Sequence, residues 1–239
     1  SLTSVVTSDI DIVFCGYQMV SFNGERLGTQ YPAEQILQDP LRFPYYTCGC
    51  GSRLYRMEHL RKYNCVFPIG CIMEDEVFSN LSIVTARKTA SVIHYGYCVR
   101  ERNDSFARSR RTFNTQTMQS IPLEAFRQCL TLAETAPRYQ RNVVHYRILH
   151  SLMISSWVFC CFAPMAERVK MVNAMAAFLR QEAIDDRSIP TTHRLLQAPF
   201  ARLLAMRVFT GSVRLHIDKP VAFVASFCVR LVYRLKGVH

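Results

Sequence analysis

Two adjacent carboxylates, Glu74 and Asp75, follow the apolar turn Phe67-Pro68-Ile69-Gly70 and open a stretch with apolar residues at helical spacing. Further on, Arg100 and Arg102 alternate at the exit of a β-branched run, with Ser105 close behind. Neighbouring carboxylates suit proton transfer, because an ionised oxygen within about 3 Å of a hydroxyl can take its proton. Alternate strand residues point the same way, so Arg100 and Arg102 could reach one anion. Each feature also has a plainer reading. Acids in a first helical turn are favoured by the helix dipole whatever else they do. Two arginines can simply solvate the end of a strand.

Other residues invite chemistry less strongly. Four thiolates, Cys48, Cys50, Cys65 and Cys71, could in principle make a tetrahedral zinc site. Their spacing, a Cys-x-Cys followed by a distant Cys-x5-Cys, is not one of the usual frameworks. His94 reads as a core or rim histidine rather than a ligand. Tyr55 and Arg56 read as residues that orient the helix after them rather than touch a substrate.

The elements that must position these residues follow from pattern and punctuation. Asp11 to Tyr17 reads as a buried strand stopped by Gly16. Val20 to Phe22 can continue it or pair with it, and Asn23-Gly24 after them is a turn signal. A short helix is expected over Pro32–Leu41, ended by Asp39-Pro40. Gly49 and Gly51 permit close backbone approach, and a helix is expected over Arg53–Tyr63. The acidic pair opens a helix from Glu74 to about Arg87, with Val77, Leu81 and Val84 facing a core. Ala90–Val99 alternates as a second strand. Asn103–Asn114, with Arg108, Arg110 and Arg111, reads as a mobile basic loop. Helices are then expected over Pro122–Thr135, Asn142–Phe162, Pro164–Ile184, Pro199–Phe209 and Pro220–Lys236. In the third of these, Met165, Val169, Val172, Ala176 and Leu179 form a stripe. Asp218 is a candidate cap for the last. Residues 148–162 are the most apolar stretch, yet short of the roughly twenty residues a bilayer span needs, so a core helix is expected there.

The totals narrow the class. The chain has 239 residues, 49% of them hydrophobic and 20% charged, which excludes an intrinsically disordered protein. Its ten cysteines show no pattern of a small disulfide-knit domain. No secretory signal is evident at the start, so the thiols read as reduced and cytosolic. The first residue is Ser1 rather than Met, as expected of a fragment or processed chain. A net charge of +11 favours anionic partners such as a phosphorylated small molecule, nucleic acid or acidic lipid.

The order Leu54-Tyr55-Arg56, then Pro68 and Gly70, then Glu74-Asp75 with Phe78, then Tyr95-Gly96-Tyr97 with Arg100, Arg102 and Ser105, resembles family 2 glycosyltransferases of the GT-A type. The resemblance covers roughly residues 9–110 and only the acceptor-side part of that catalytic domain. It implies an α/β fold, a partial nucleotide-diphospho-sugar transferase sheet over residues 1–112, with an α-helical C-terminal region over 113–239. It implies inverting transfer from a nucleotide-diphosphate sugar to a glycan or lipid-linked acceptor, as in surface-polysaccharide assembly. Within it Asp75 is the base and Glu74 positions acceptor or base. Arg100, Arg102 and Ser105 contact substrate. The family's Mg²⁺ or Mn²⁺ is held by a D-x-D motif in a nucleotide-binding half that should precede this sequence. Asp9-Ile10-Asp11 has that spelling but stands where the next strand begins, and no other metal ligand is expected. The chain alone is therefore expected to be inactive. The location expected is cytoplasmic, with the Arg-faced helix 220–236 as a possible contact with the inner face of the membrane. A rival reading is a basic, non-catalytic module for nucleic acid or acidic membrane. Only Phe106 and Phe113 stand near its Arg-rich loop, too few for a stacking platform, so nucleic acid is not the expected partner.

Overall fold

Ile12-Val13-Phe14 is apolar at every position, which suits a strand covered on both faces, and all three residues are buried. The computed structural model describes residues 5–31, 34–38, 50–100, 121–157, 164–182, 184, 200–215, 218, 220–222, 224 and 225. In it β1 (Ile12–Phe14) is the centre of a three-stranded sheet. It runs antiparallel to β4 (Arg53–Tyr55) and parallel to β5 (Thr89–Ser91). A second sheet has β2 (Tyr17–Val20) between β3 (Arg26–Tyr31), antiparallel, and β6 (Tyr97–Arg100), parallel. The β2–β3 hairpin turns at the expected Asn23-Gly24, with Gly24 at φ +87°. Between the strands lie α1 (Glu34–Leu37), α2 (Met57–Lys62) and α3 (Glu74–Thr85).

Two sequence expectations are corrected here. Ala90–Val99 is not one strand: β5 and β6 belong to different sheets, separated by Val92–Gly96. The parallel pair breaks on both sides at once. Only Cys15 and Gly16 link β1 to β2, whereas the longer segment Val92–Gly96 links β5 to β6, so the latter bulges out. Backbone hydrogen bonds bridge the break: Gly16 N–H to the His94 carbonyl at 2.7 Å and Val92 N–H to the Phe14 carbonyl at 2.9 Å. Gly16 is required by close approach, since a Cβ there would lie under 3.0 Å from the Tyr95 ring. Nor is Arg53–Tyr63 wholly helical. Arg53–Tyr55 is claimed by the β1 ladder, and the helix starts only at Met57, a tertiary override of local preference.

The described residues group into two compact units. The first draws on Ser1–Ile69, Met73–Ser109 and Gln128–Val144. Its core is Ile12, Phe14, Leu37, Ile83, Ala86 and Val143, flanked by Tyr55, Tyr95 and Tyr139. Beyond its first turn α3 is covered nearly all round: Val77, Phe78, Ser79, Asn80, Ser82, Ile83 and Val84 are buried, while Leu81 is only half-buried. The Gln140 amide donates to the carbonyls of Ile83, at 3.0 Å, and Ala86, fixing the end of α3.

The second unit draws on Gly70–Ile72, Arg110–Arg127 and His145–His239. The helices after residue 120 are α4 (Leu123–Thr135) and α5 (Arg138–Trp157), whose residues from Gln128 to Val144 belong to the first unit, and α6 (Met165–Gln181) and α7 (Phe200–Arg214). The stripe expected on α6 is rotated. Met165 and Val169 are exposed, and Met171, Val172, Met175, Ala176 and Phe178 are buried. Arg127 clamps this unit, donating to Glu124 and to Glu182 at 2.6 Å and lying over the Phe178 ring. Asp218, expected as a cap, is instead buried and paired with Arg180 at 3.4 Å. Among the described residues no helix is long and apolar enough to cross a membrane, and α5 is a buried helix, with Val144, Ile148, Leu149 and Leu152 enclosed. Residues 226–236 of the last expected helix lie outside the described residues.

One charged centre ties the first unit together. The Asp11 side chain is fully covered, and Arg87 donates to it from its backbone N–H at 2.8 Å and from Nη2 at 2.7 Å. Arg56 approaches at 3.5 Å and the His59 Nδ1 at 3.8 Å. Burial pushes the Asp11 carboxyl up, but the Arg87 hydrogen bonds outweigh it and hold the group below 3.8. Burial likewise pushes His59 below 6.5, despite the Ser82 carbonyl and Asp11, which favour its cation.

Both groups bind protons less readily folded than unfolded, so both make stability fall with falling pH. The His59 share is fully present above about pH 6.5 and declines as the unfolded imidazole takes up a proton. The Asp11 share is present above about pH 4 and is lost as pH falls through its depressed folded value. Urea unfolding across this range should show the first decline in the native protein and not in His59→Gln. Both proteins should keep the second. A His59→Gln curve parallel to the native one between about pH 6.5 and 5 would show that His59 is not the group responsible.

Candidate active site

Helix α3 begins abruptly. Met73, the residue before it, has left-handed backbone (φ 63°, ψ 29°), and its carbonyl accepts from the N–H groups of Glu76 and Val77 at 3.1 and 3.2 Å. No side chain caps the helix from position 73. The first-turn acids fill that need: Asp75 Oδ1 accepts from the Glu76 N–H at 2.9 Å, and all three carboxylates complement the helix dipole. They differ sharply in setting. Glu74 is exposed, Asp75 is half-buried and Glu76 is buried. Asp75 thus stands at a rim, partly shielded and still open to solvent.

One turn further along the same helix face, Ser79 receives a hydrogen bond from Arg53 Nη1 at 2.9 Å. Arg53 is on β4, with its guanidinium 5.3 Å from the centre of the Phe14 ring. It also reaches the Tyr55 hydroxyl, at 3.4 Å. That hydroxyl in turn donates to the Cys50 carbonyl at 3.2 Å. The Cys50 thiol is pushed up by burial first and then by the Asp75 carboxylate, with Arg53 opposing and Glu74 adding a smaller push. Cys50 therefore lies within electrostatic reach of both acids and of Arg53. A Cβ on Gly51 would lie 3.0–3.2 Å from the Tyr97 ring, so the first residue of β6 packs directly on this segment. Ser52 completes it in left-handed conformation (φ 55°). Phe78 holds the preceding turn by stacking on Phe67 at 4.3 Å, and it meets Tyr55 edge-on at 5.1 Å.

Glu74 and Asp75 thus share one helical turn, next to the segment Cys50–Ser52. Arg100 is exposed at the end of β6, opposite Val20, and no hydrogen bond or ion pair joins it to either acid. Arg102 and Ser105 lie outside the described residues, as do Cys48 and the basic loop. Tyr55 and Arg56 both make structural contacts, Arg56 binding the Ile10 carbonyl at 3.0 Å and Asp11. His94 is exposed at the sheet break, not on a strand. Sequence reasoning gives Arg53 and Ser79 no part in a site, weighs Cys50 only as a zinc ligand, and takes Tyr97 only as part of the resemblance. The available signals were the i, i+4 spacing of Asp75 and Ser79 and the Gly at position 51, which demands a close neighbour.

Asp9-Ile10-Asp11 does not fit the divalent cation implied by the resemblance, because its carboxylates are already engaged. Both Asp11 oxygens are engaged by Arg87, and Asp9 pairs with Lys88 at 3.0 Å and accepts from Thr7. Asp9-Ile10-Asp11 is therefore a strand start held by cations, as its position suggested. Among the described residues no group of three His, Cys, Asp or Glu side chains could hold a metal ion, so Cys50, Cys65 and Cys71 do not form one with each other.

No family model and no curated protein matches the chain. Among solved structures it is similar to Staphylococcus aureus TarS, residues 1–349, in complex with UDP-GlcNAc. The TM-score is 0.56 at 14% sequence identity, over 95% of this chain and 60% of that one. The present chain thus spans about three fifths of the structure it matches. At this identity the likeness is one of fold, and the fold is glycosyltransferase-like.

Proposed function

We propose that this chain carries the acceptor-side part of an inverting glycosyltransferase of family 2, GT-A type. The donor is a nucleotide-diphosphate sugar, for which the UDP-GlcNAc bound by TarS is the precedent, and the acceptor a glycan or lipid-linked hydroxyl. The observation that carries the reading is Asp75, a half-buried first-turn carboxylate in a glycosyltransferase-like fold.

In this reaction the acceptor oxygen attacks the anomeric carbon as Asp75 removes its proton. The bond from that carbon to the diphosphate breaks on the opposite side, and the nucleoside diphosphate leaves with the electron pair. The setting of Asp75 supports this assignment. Its backbone is fixed by the helix, one oxygen is held by the Glu76 N–H, and its environment is neither dry nor fully aqueous. Glu74, exposed beside it, orients the acceptor. Arg100 and Arg102 are the cations assigned to the leaving diphosphate, and Ser105 a further substrate contact.

The test is a panel of UDP-, GDP- and dTDP-sugars offered to the full-length gene product with a mixed glycan and lipid-linked acceptor pool. Saturable binding of one donor, and acceptor-dependent release of its nucleoside diphosphate, are expected. Failure of every donor to bind or release would remove the reading.

A further inference from the structure

The turn ahead of the candidate base has a second feature, independent of sugar transfer. Helix α2 ends at Lys62, and Asn64 takes left-handed backbone (φ 49°), which lets the Cys65 N–H reach back to the Leu60 carbonyl at 2.9 Å. Cys65 is thereby tucked in and buried, and the residues around it are turned out. Tyr63, Val66 and Phe67 are 38%, 54% and 46% exposed, and Ile69 is 100% exposed. Such a run of large apolar side chains in water is a cost that a surface turn normally avoids. The turn is also braced: Phe67 stacks on Phe78 with its ring planes only 6° apart.

Arg61 and Lys62 flank this tip and are exposed. Among the described residues neither has an acidic partner. Lys62 instead lies 5.0 Å from the centre of the Tyr63 ring. Glu58, the acid on the same helix, is within 3.7 Å of Arg56. Apolar and aromatic tips bordered by unpaired cations match the layering of a bilayer surface, where side chains such as Ile69 enter the acyl boundary and cations meet lipid phosphates. The chain's net charge of +11 acts in the same direction.

We propose that Arg61–Ile69 is a docking surface for the headgroup layer of an anionic phospholipid bilayer. The occupant is an anionic lipid surface because the apolar tips are bordered by the exposed cations Arg61 and Lys62 on a chain of net charge +11, which complements a layer of lipid phosphates over an acyl boundary.

The test is flotation of the purified protein with vesicles of phosphatidylcholine alone or mixed with phosphatidylglycerol. Binding is expected to the mixed vesicles and to weaken with salt. Ile69→Asp should lower partitioning by about tenfold or more. Arg61→Gln and Lys62→Gln should each lower it by about fivefold. All three side chains are exposed, so unchanged thermal unfolding should accompany the loss. The proposal is overturned if the native protein ignores anionic vesicles, or if Ile69→Asp binds them as well as the native protein does. It is also overturned if Ile69→Asp abolishes self-association in sedimentation while vesicle binding persists.

Discussion

Asp75→Asn is expected to lower transfer by about 10²–10⁴-fold while leaving nucleotide-sugar affinity close to native. The amide keeps the size of the carboxylate and can still accept from the Glu76 N–H, so the start of α3 should survive. What it loses is basicity, the property the proposed step uses. A ground-state contact would show the opposite split, with weaker binding and turnover intact. Glu74→Gln is the companion measurement. That residue is exposed, and a positioning role predicts a raised acceptor KM with a smaller fall in kcat. Full turnover by Asp75→Asn would remove Asp75 from the mechanism, whatever the fold resembles.

The second large effect concerns stability. Asp11→Asn should cost about 3 kcal/mol, the lower end for breaking a buried pair, because Arg56 and Arg87 are partly exposed and can turn to water. Asp9→Asn, two residues earlier and on the surface, should leave stability little changed, since exposed pairs such as that with Lys88 contribute little. A metal-holding D-x-D motif would predict otherwise: equal importance of both acids, and a loss on chelation. Chemical denaturation of the two variants, with and without EDTA, separates the cases. Equal stability losses, or sensitivity to chelator, would count against the ion-pair account.

The sequence made some of this legible because the signals were local. Asn23-Gly24 marks its hairpin, and the acids at 74–76 mark the start of α3 within a residue. Leu54-Tyr55 was misread because its strand character comes from pairing with Ile12 and Val13, which no local window contains. Ala90–Val99 alternates well enough for one strand, but the alternation says nothing of a partner that breaks at Gly16. The Asp11 centre was invisible for the same reason: its partners Arg56, His59 and Arg87 converge only once β1, α2 and the end of α3 are packed. At the candidate site the carboxylates could be read directly. Cys50, Arg53 and Tyr97 are supporting groups, and their relevance depends on packing between separate strands and α3.

Met73 sits in left-handed backbone at the doorstep of the acidic turn, a conformation that disfavours any residue with a Cβ by roughly 1–2 kcal/mol. A glycine there would relax the chain. The position is thus a ready target for thermostabilisation, and also a hazard for it. Loosening the chain at residue 73 would free the first turn of α3 to wander, so a Met73→Gly protein should tolerate more heat and, in the transfer reaction proposed above, turn over more slowly.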